Sequence, residues 1–260
     1  MAACKNADER GTVYVEFLLV APPLLLLCLC ALQYALLAAS ELGVQHAAVR
    51  AARSAAVILP DDPRHYDGQA VNELPANGRC SGSALTTLAA VVGIDSGLRR
   101  ARPCKGGERW SKVRWSAAAS LLPFAPSIES FLPHDTGRPG QSSTLRWLWG
   151  ASAYLDAAMG VSLMRLDEAT RRDLPLRLEE GELLRLEVSY LSPCIVPVAR
   201  ELMCDSGVAL SVGKRARRLE ASTGSAGLLK ALLMSPSGRF ALQAAEAYMP
   251  LQSAPRGDAP

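Results

Sequence analysis

One carboxylate stands at the start of the longest apolar stretch in this 260-residue chain. Residues 17–39 carry no formal charge, and Glu16 directly precedes them, five residues after Gly11. An ionisable side chain inside or beside a bilayer is costly, so it usually has a partner or a function. The alternative is an interfacial Glu16 placed favourably near a helix N-terminus, an effect of about 1 kcal/mol at most. Glu16 is therefore the first candidate functional residue.

A long helix must position this carboxylate. Residues 17–39, in which Gln33 is the only strongly polar side chain, are long enough to cross a hydrocarbon core of about 30 Å. The helical pattern then continues without proline to residue 59. Residues 12–59 would form one helix about 70 Å long, with a kink at Pro22 and Pro23. The sequence predicts that half of this helix spans the membrane and half stands outside it.

At these residues the chain resembles a known protein family. The sequence G-T-V-Y-V-E-F, beginning at Gly11, resembles the cleavage segment of a type IV prepilin, in which a short polar leader ends in Gly and the fifth residue after it is Glu. Gly11 followed by the pair Glu16 and Phe17 resembles specifically the TadE-like pseudopilins of tight-adherence (Flp) pilus systems. Residues 44–53, rich in Ala and Arg, are similar to the end of that family's N-terminal module.

The resemblance implies roles for four residues. A prepilin peptidase would cleave between Gly11 and Thr12, and Gly11 would suit a tight peptidase subsite because it has no side chain. Glu16 and Phe17 would be assembly residues, with Glu16 pairing with the freed amino group of Thr12 on a neighbouring subunit. The partners implied are prepilin peptidase, other pilins or pseudopilins and the pilus assembly machinery. The chain would be the substrate of this processing and a minor pseudopilin or accessory subunit.

The predicted fold class is α+β, with a long N-terminal transmembrane and stem helix before an extracytoplasmic α+β domain. Four segments follow from this interpretation: residues 1–11 as a prepilin-like leader, 12–59 as the transmembrane and stem helix, 60–250 as the extracytoplasmic domain, and 251–260 as a disordered tail.

Patterning within the outer domain predicts several elements. Residues 83–92 and 142–166 are typical of helices. Residues 184–190 alternate apolar and polar side chains, which predicts a half-buried strand, and residues 193–200 are a candidate for a second extended segment. Residues 239–249 fit a last strand or a short helix.

The distribution of basic residues predicts the topology. Lys5 and Arg10 precede the apolar run and the next basic residue is Arg50, so the positive-inside rule favours a cytoplasmic N-terminus and an extracytoplasmic domain. With the resemblance, this indicates a single-pass protein of the bacterial inner membrane, in contact with membrane lipid, whose domain is periplasmic or extracellular. A secretory signal cleaved near Ser40 is the competing hypothesis, but the run exceeds the usual length of about 7 to 15 residues.

Four cysteines lie beyond the span: Cys80, Cys104, Cys194 and Cys204. An extracytoplasmic location favours disulfides. Three pairings are possible, and Cys80 with Cys104 plus Cys194 with Cys204 is preferred because each closes a local loop; free buried thiols are the alternative. The absence of C-x-x-C pairs and of histidines at zinc-finger spacing argues against a metal site.

Composition and motifs disfavour other classes of function. A net charge of +3 and a pI of about 8.5 are too low to indicate nucleic-acid binding. Only three histidines are present, and no phosphate loop, dinucleotide fingerprint or nucleophile elbow occurs, so we expect no enzyme and no cofactor. The alternative function is an unprocessed envelope protein whose periplasmic domain is an adhesin or scaffold; a membrane-tethered enzyme is a more distant one.

Overall fold

The computed structural model describes residues 5–66, 68–74, 107–126, 151, 154–155, 158–165, 176–177, 181, 183–206 and 238–251. In chain order the elements are helix α1 (Lys5–Ile58), a 3-10 turn (Pro63–His65), β1 (Glu73–Leu74), α2 (Gly107–Leu121), a 3-10 turn (Leu122–Phe124), β2 (Met159–Arg165), β3 (Leu176–Arg177), β4 (Leu183–Pro193), α3 (Ala199–Met203), β5 (Asp205–Ser206) and β6 (Arg239–Pro250). The predicted α+β architecture after a long N-terminal helix is confirmed.

Helix α1 has two halves with different environments. Its 54 residues span about 81 Å, and the helix continues through Pro22 and Pro23. It already begins at Lys5, within the segment predicted as a leader. No side chain from Tyr14 to Leu32 is buried, whereas one face of the helix is buried from there outward. The second half of α1 is therefore part of the folded domain that follows it.

The buried face of α1 is built mainly from alanines. Its members recur at helical spacing and are fully buried: Val44, Ala47, Ala48, Ala51, Ala52 and Ala55. Small side chains allow close approach, and this face packs against α2, β4 and β6. Gly43 also allows close approach to this helix: a Cβ added there would lie 2.4 Å from the ring of Phe124.

Helix α2 covers α1 on one side. Trp110, Val113, Ala117 and Leu121 follow one another at intervals of three and four residues and are buried in the shared core. This helix was not predicted from the sequence, although its apolar spacing is helical. Charged and polar residues stand between the apolar positions, so the segment is less conspicuous than the longer apolar runs of the same chain.

A four-stranded antiparallel sheet, in the order β2-β4-β6-β5, forms the opposite layer. Strand β4 is central: Val188 pairs with Val161 of β2 and with Ala245 of β6. The predicted strand is confirmed, and four of its apolar side chains are buried: Leu184, Leu186, Val188 and Tyr190. The strand is not half-buried as predicted, because Glu187 and Ser189 on its other face are buried as well. Strands β1 and β3 form a separate two-stranded ladder.

Two predictions within the outer domain are corrected. The helix predicted for residues 142–166 is wrong in its last part, because β2 begins at Met159 and pairs with β4. The extended segment predicted for 193–200 is also wrong, since the chain turns after β4 and enters α3. Residues 239–249 form a strand. The predicted helix 83–92, the tail beyond Leu251, and Cys80 with Cys104 lie outside the described residues.

Candidate functional site: the bare half of α1 and its junction with the domain

The first half of α1 presents an apolar surface that no described part of the protein covers. Around Glu16, Tyr14 is 73% exposed, Phe17 is 66% exposed and Leu19 is 72% exposed. Within the described residues, α1 is the one helix long and apolar enough to cross a membrane. Such a surface is stable only in lipid or against another apolar surface. The arrangement is consistent with a single-pass membrane protein.

Glu16 lies within this surface with its carboxylate exposed. Among the described residues, none forms an ion pair with it. Gly11 and Thr12 belong to the same helix, and their side chains are not among those described. Since Thr12 precedes Glu16 by four residues, the two positions lie on one helix face, about one turn apart. The carboxylate of Glu16 is thus accessible to other molecules.

Gln33 marks the point where the domain first contacts α1. It is only 1% exposed, although its neighbours in the helix are bare. Its side-chain Oε1 accepts a hydrogen bond from the backbone N–H of Val196 at 3.1 Å. The sequence showed Gln33 as the one strongly polar residue of the apolar run, but gave no indication of its partner.

A second set of polar contacts follows one to two turns farther along α1. The Ser192 hydroxyl donates to Ser40 Oγ at 3.2 Å, and Ser40 donates to Gln243 Oε1 at 2.9 Å. Gln243 Nε2 in turn donates to the backbone oxygen of Leu37 at 2.8 Å. These bonds join α1 to β4 and β6. Cleavage near Ser40, the secretory alternative, would separate Leu37 from the strand bonded to it.

The predicted Cys194–Cys204 disulfide is present, with the two Cα atoms 6.5 Å apart. It closes the segment that contains Val196 and α3, so the partner of Gln33 lies inside a covalent loop. Cys28 and Cys30, on α1, are free thiols.

The outer end of α1 is capped by Arg109 of α2. Its fully buried guanidinium donates to the backbone oxygens of Ile58, Leu59 (3.0 Å) and Asp61 (2.8 Å). The last carbonyls of a helix lack partners within it and carry partial negative charge, so a cation there is stabilising. Arg109 therefore fixes the angle at which the chain leaves α1. Sequence reasoning missed this residue.

Tyr66 and Asp61 complete this cap. The Arg109 Cζ and the Lys112 Nζ each lie 4.3 Å from the centroid of the Tyr66 ring. The Tyr66 hydroxyl donates to Asp61 Oδ2 at 2.9 Å. Hydrogen bonds from the Asp62 backbone N–H and, next, from Tyr66 lower the pKa of Asp61 from its ordinary value. Burial lowers the pKa of Arg109. Charged groups and hydrogen bonds thus connect the end of α1 to α2.

Comparison with known proteins gives one family match. The model of the TadE-like protein family matches residues 11–53, which confirms the resemblance seen in the sequence. The match begins at Gly11 and includes Glu16, Gln33 and most of the buried face of α1, and it leaves α2 and the sheet outside. No curated protein and no solved structure is significantly similar to the chain.

Proposed function

We propose that the chain is a non-catalytic, TadE-like minor pseudopilin or accessory subunit of a tight-adherence (Flp-type) pilus assembly or secretion system. The observation that carries the proposal is the division of α1. Its first half, from Tyr14 to Leu32, is bare and apolar, and its second half is the central core element of a folded domain. A subunit of this form can reside in the membrane and then pack the same helix surface against other subunits.

Processing by a prepilin peptidase between Gly11 and Thr12 would create the second partner in the assembly contact. The new amino group of Thr12 is a cation, and Glu16 of a neighbouring subunit is an exposed carboxylate. Within the bilayer such a pair is favourable only when both charges meet. Phe17, next to Glu16 and exposed, would add apolar contact beside this pair.

The junctions at Gln33 and Arg109 support transmission of assembly forces. Hydrogen bonds tie the domain to α1 near both ends of the buried half. Because neither joint is a flexible linker, a displacement of the helix moves the domain with it. The protein would span the inner membrane once with its N-terminus in the cytoplasm, and the Cys194–Cys204 disulfide fits a periplasmic or extracellular domain.

A second function is an unprocessed envelope protein whose domain is an adhesin or scaffold. The observation that favours it is the helical conformation of residues 5–13, which includes Gly11 and Thr12. A peptidase needs extended backbone at the scissile bond, so the leader would first have to unwind. The two functions differ in whether Glu16 is required.

Glu16→Gln tests the proposal, with Glu41→Gln as the matched control. Both glutamates are exposed on α1, but Glu41 lies beyond the apolar run. The proposal predicts that Glu16→Gln reduces the protein in the sheared pilus fraction by about tenfold or more, a loss of over 1.4 kcal/mol, while its membrane level is unchanged. Equal recovery of both variants in that fraction would favour the unprocessed alternative.

A further inference from the structure

We propose that the disulfide-closed segment from Cys194 to Cys204 is a lipid-contact site, which inserts apolar side chains into the extracytoplasmic interface of the membrane that α1 crosses. The inference rests on α1 being a membrane span and holds whether or not the leader is cleaved. It assigns a second membrane contact to the protein, made by the domain itself.

The segment exposes an unusual amount of apolar surface for its length. Ile195 is 56% exposed, Val198 is 51% exposed and Leu202 is 65% exposed, and Met203 is also exposed. The disulfide holds all four on one short loop. A cluster of this kind on a domain indicates contact with a membrane or a partner.

The position of the segment beside Gln33 indicates that the membrane is what covers its exposed apolar side chains. The 3.1 Å bond between Val196 N and Gln33 Oε1 places the segment beside residue 33 of α1. The uncharged run that begins after Glu16, residues 17–32, covers about 24 Å of helix before Gln33 at 1.5 Å per residue. That length is close to a hydrocarbon core of about 30 Å. The segment therefore lies where α1 leaves the core, and its apolar surface continues that of the span.

The backbone of the segment is shaped to project a side chain. Val198 has a φ of 66°, an uncommon conformation for a β-branched residue, and Ala199 N donates to Pro197 O at 2.8 Å. This is a γ-turn of the rare, strained type. Strain of this kind persists where the surrounding structure enforces it and is frequent at functional sites. Here the disulfide encloses the turn, with exposed Val198 at its tip.

Charges at the base of the segment are balanced. Arg239 pairs with Glu201 and donates to the Cys204 backbone oxygen at 3.3 Å, and Arg200 Nε lies 3.4 Å from Glu201 Oε1. Arginines at this depth match the headgroup region. With Asp205 beside them, the local charge sums to zero, so insertion depends on apolar contact and is weakly sensitive to salt.

Tryptophan quenching by brominated lipid tests the proposal on the full-length protein. Leu202→Trp is compared with Val57→Trp, an exposed apolar position on α1 about 36 Å beyond Gln33. Each variant is reconstituted at one copy per nanodisc, with brominated or unbrominated acyl chains, and the unsubstituted protein supplies the native tryptophan background. Met203→Trp serves as the second reporter if Leu202→Trp does not fold.

The expected result is that the added emission at position 202 is blue-shifted and falls by at least half in brominated lipid, while that at position 57 is unchanged. Equal, unquenched emission at both positions would overturn the proposal. Shielding of position 202 that appears only when a second copy is present would also overturn it, since the surface would then be a contact between subunits. A strong salt dependence of the quenching would contradict the apolar mode of insertion.

Discussion

Arg109 donates a 3.0 Å hydrogen bond to the backbone oxygen of Leu59, a residue fifty positions earlier in the chain. The contact closes the outer end of the helix whose inner half is bare. Gln33 makes the corresponding contact at the other end of the buried half. Hydrogen bonds therefore hold α1 to the domain at both ends of its buried half, and the domain is mechanically continuous with the bare half of the helix.

Arg109→Lys should lower the free energy of unfolding of the domain by about 3 kcal/mol, because lysine keeps the charge but cannot reproduce the forked set of bonds to four carbonyl oxygens. Thermal unfolding of the detergent-solubilised protein measures the effect. Arg64→Lys, on an exposed side chain nearby, should leave the midpoint unchanged. Equal midpoints for the two variants would mean that Arg109 does not cap α1.

Gly107→Ala and Gly181→Ala separate the cost of a positive φ from the cost of a Cβ that collides with a neighbouring side chain. Both positions have positive φ, +79° and +80°, so each substitution should cost about 1 kcal/mol from backbone strain. At Gly107 the new Cβ would also lie 1.5 Å from Gln69 Nε2, whereas at Gly181 it meets nothing within 4 Å. Gln69 Oε1 accepts from Arg109 N and caps α2. We expect Gly107→Ala to cost about 1 kcal/mol more than Gly181→Ala in denaturant unfolding; equal costs would rule out the cap.

Removing the disulfide should destabilise the domain. By the loop-entropy relation, opening the Cys194–Cys204 loop, with a sequence separation of 10, costs about 2.7 kcal/mol. Cys194→Ser should therefore lower the unfolding midpoint under oxidising conditions, and a reducing agent should lower the midpoint of the unsubstituted protein by at least as much. Cys28→Ser removes a free thiol from the bare half of α1 and should have no effect. A midpoint insensitive to reductant would contradict the assignment.

The cap at the end of α1 should make stability depend on pH. Hydrogen bonds lower the pKa of Asp61 from its ordinary value of 3.8, so its folded form binds a proton less readily than its unfolded form. Its stabilising contribution is complete above about pH 3.8 and is lost as the pH falls below that value. Tyr66→Phe removes one of these bonds and keeps the ring beside Arg109. The variant should lose less stability on acidification; identical acid profiles by circular dichroism would contradict this role.

Much of the fold could be predicted because its signals are local. The uninterrupted helical pattern gave α1, and the alternation at Leu184, Leu186, Val188 and Tyr190 gave β4. The start of β2 at Met159 could not be placed, because an apolar run suits a helix or a buried strand equally until its partner is known, and here the partner is β4.

Part of the candidate site could likewise be predicted from local sequence, and part could not. Gly11, Thr12, Glu16 and Phe17 form one contiguous motif, so the sequence was sufficient to propose them. The junction was not predictable, since Gln33 contacts Val196, which lies 163 positions later. Gln33 was visible as a lone polar residue in an apolar run, and a polar residue in a membrane helix is itself a sign of a buried contact. Its partner required the folded structure.

Processing of this chain as a pseudopilin is tested most directly by the N-terminus of the protein in its native membrane. Intact mass and N-terminal sequencing should show a chain beginning at Thr12, either free or N-methylated, and the Gly11→Ala variant should retain the full leader. A chain that still begins at Met1 in the unsubstituted protein would contradict processing and leave a TadE-like anchor for the outer domain. A chain beginning near Ser40 would instead identify the apolar run as a secretory signal.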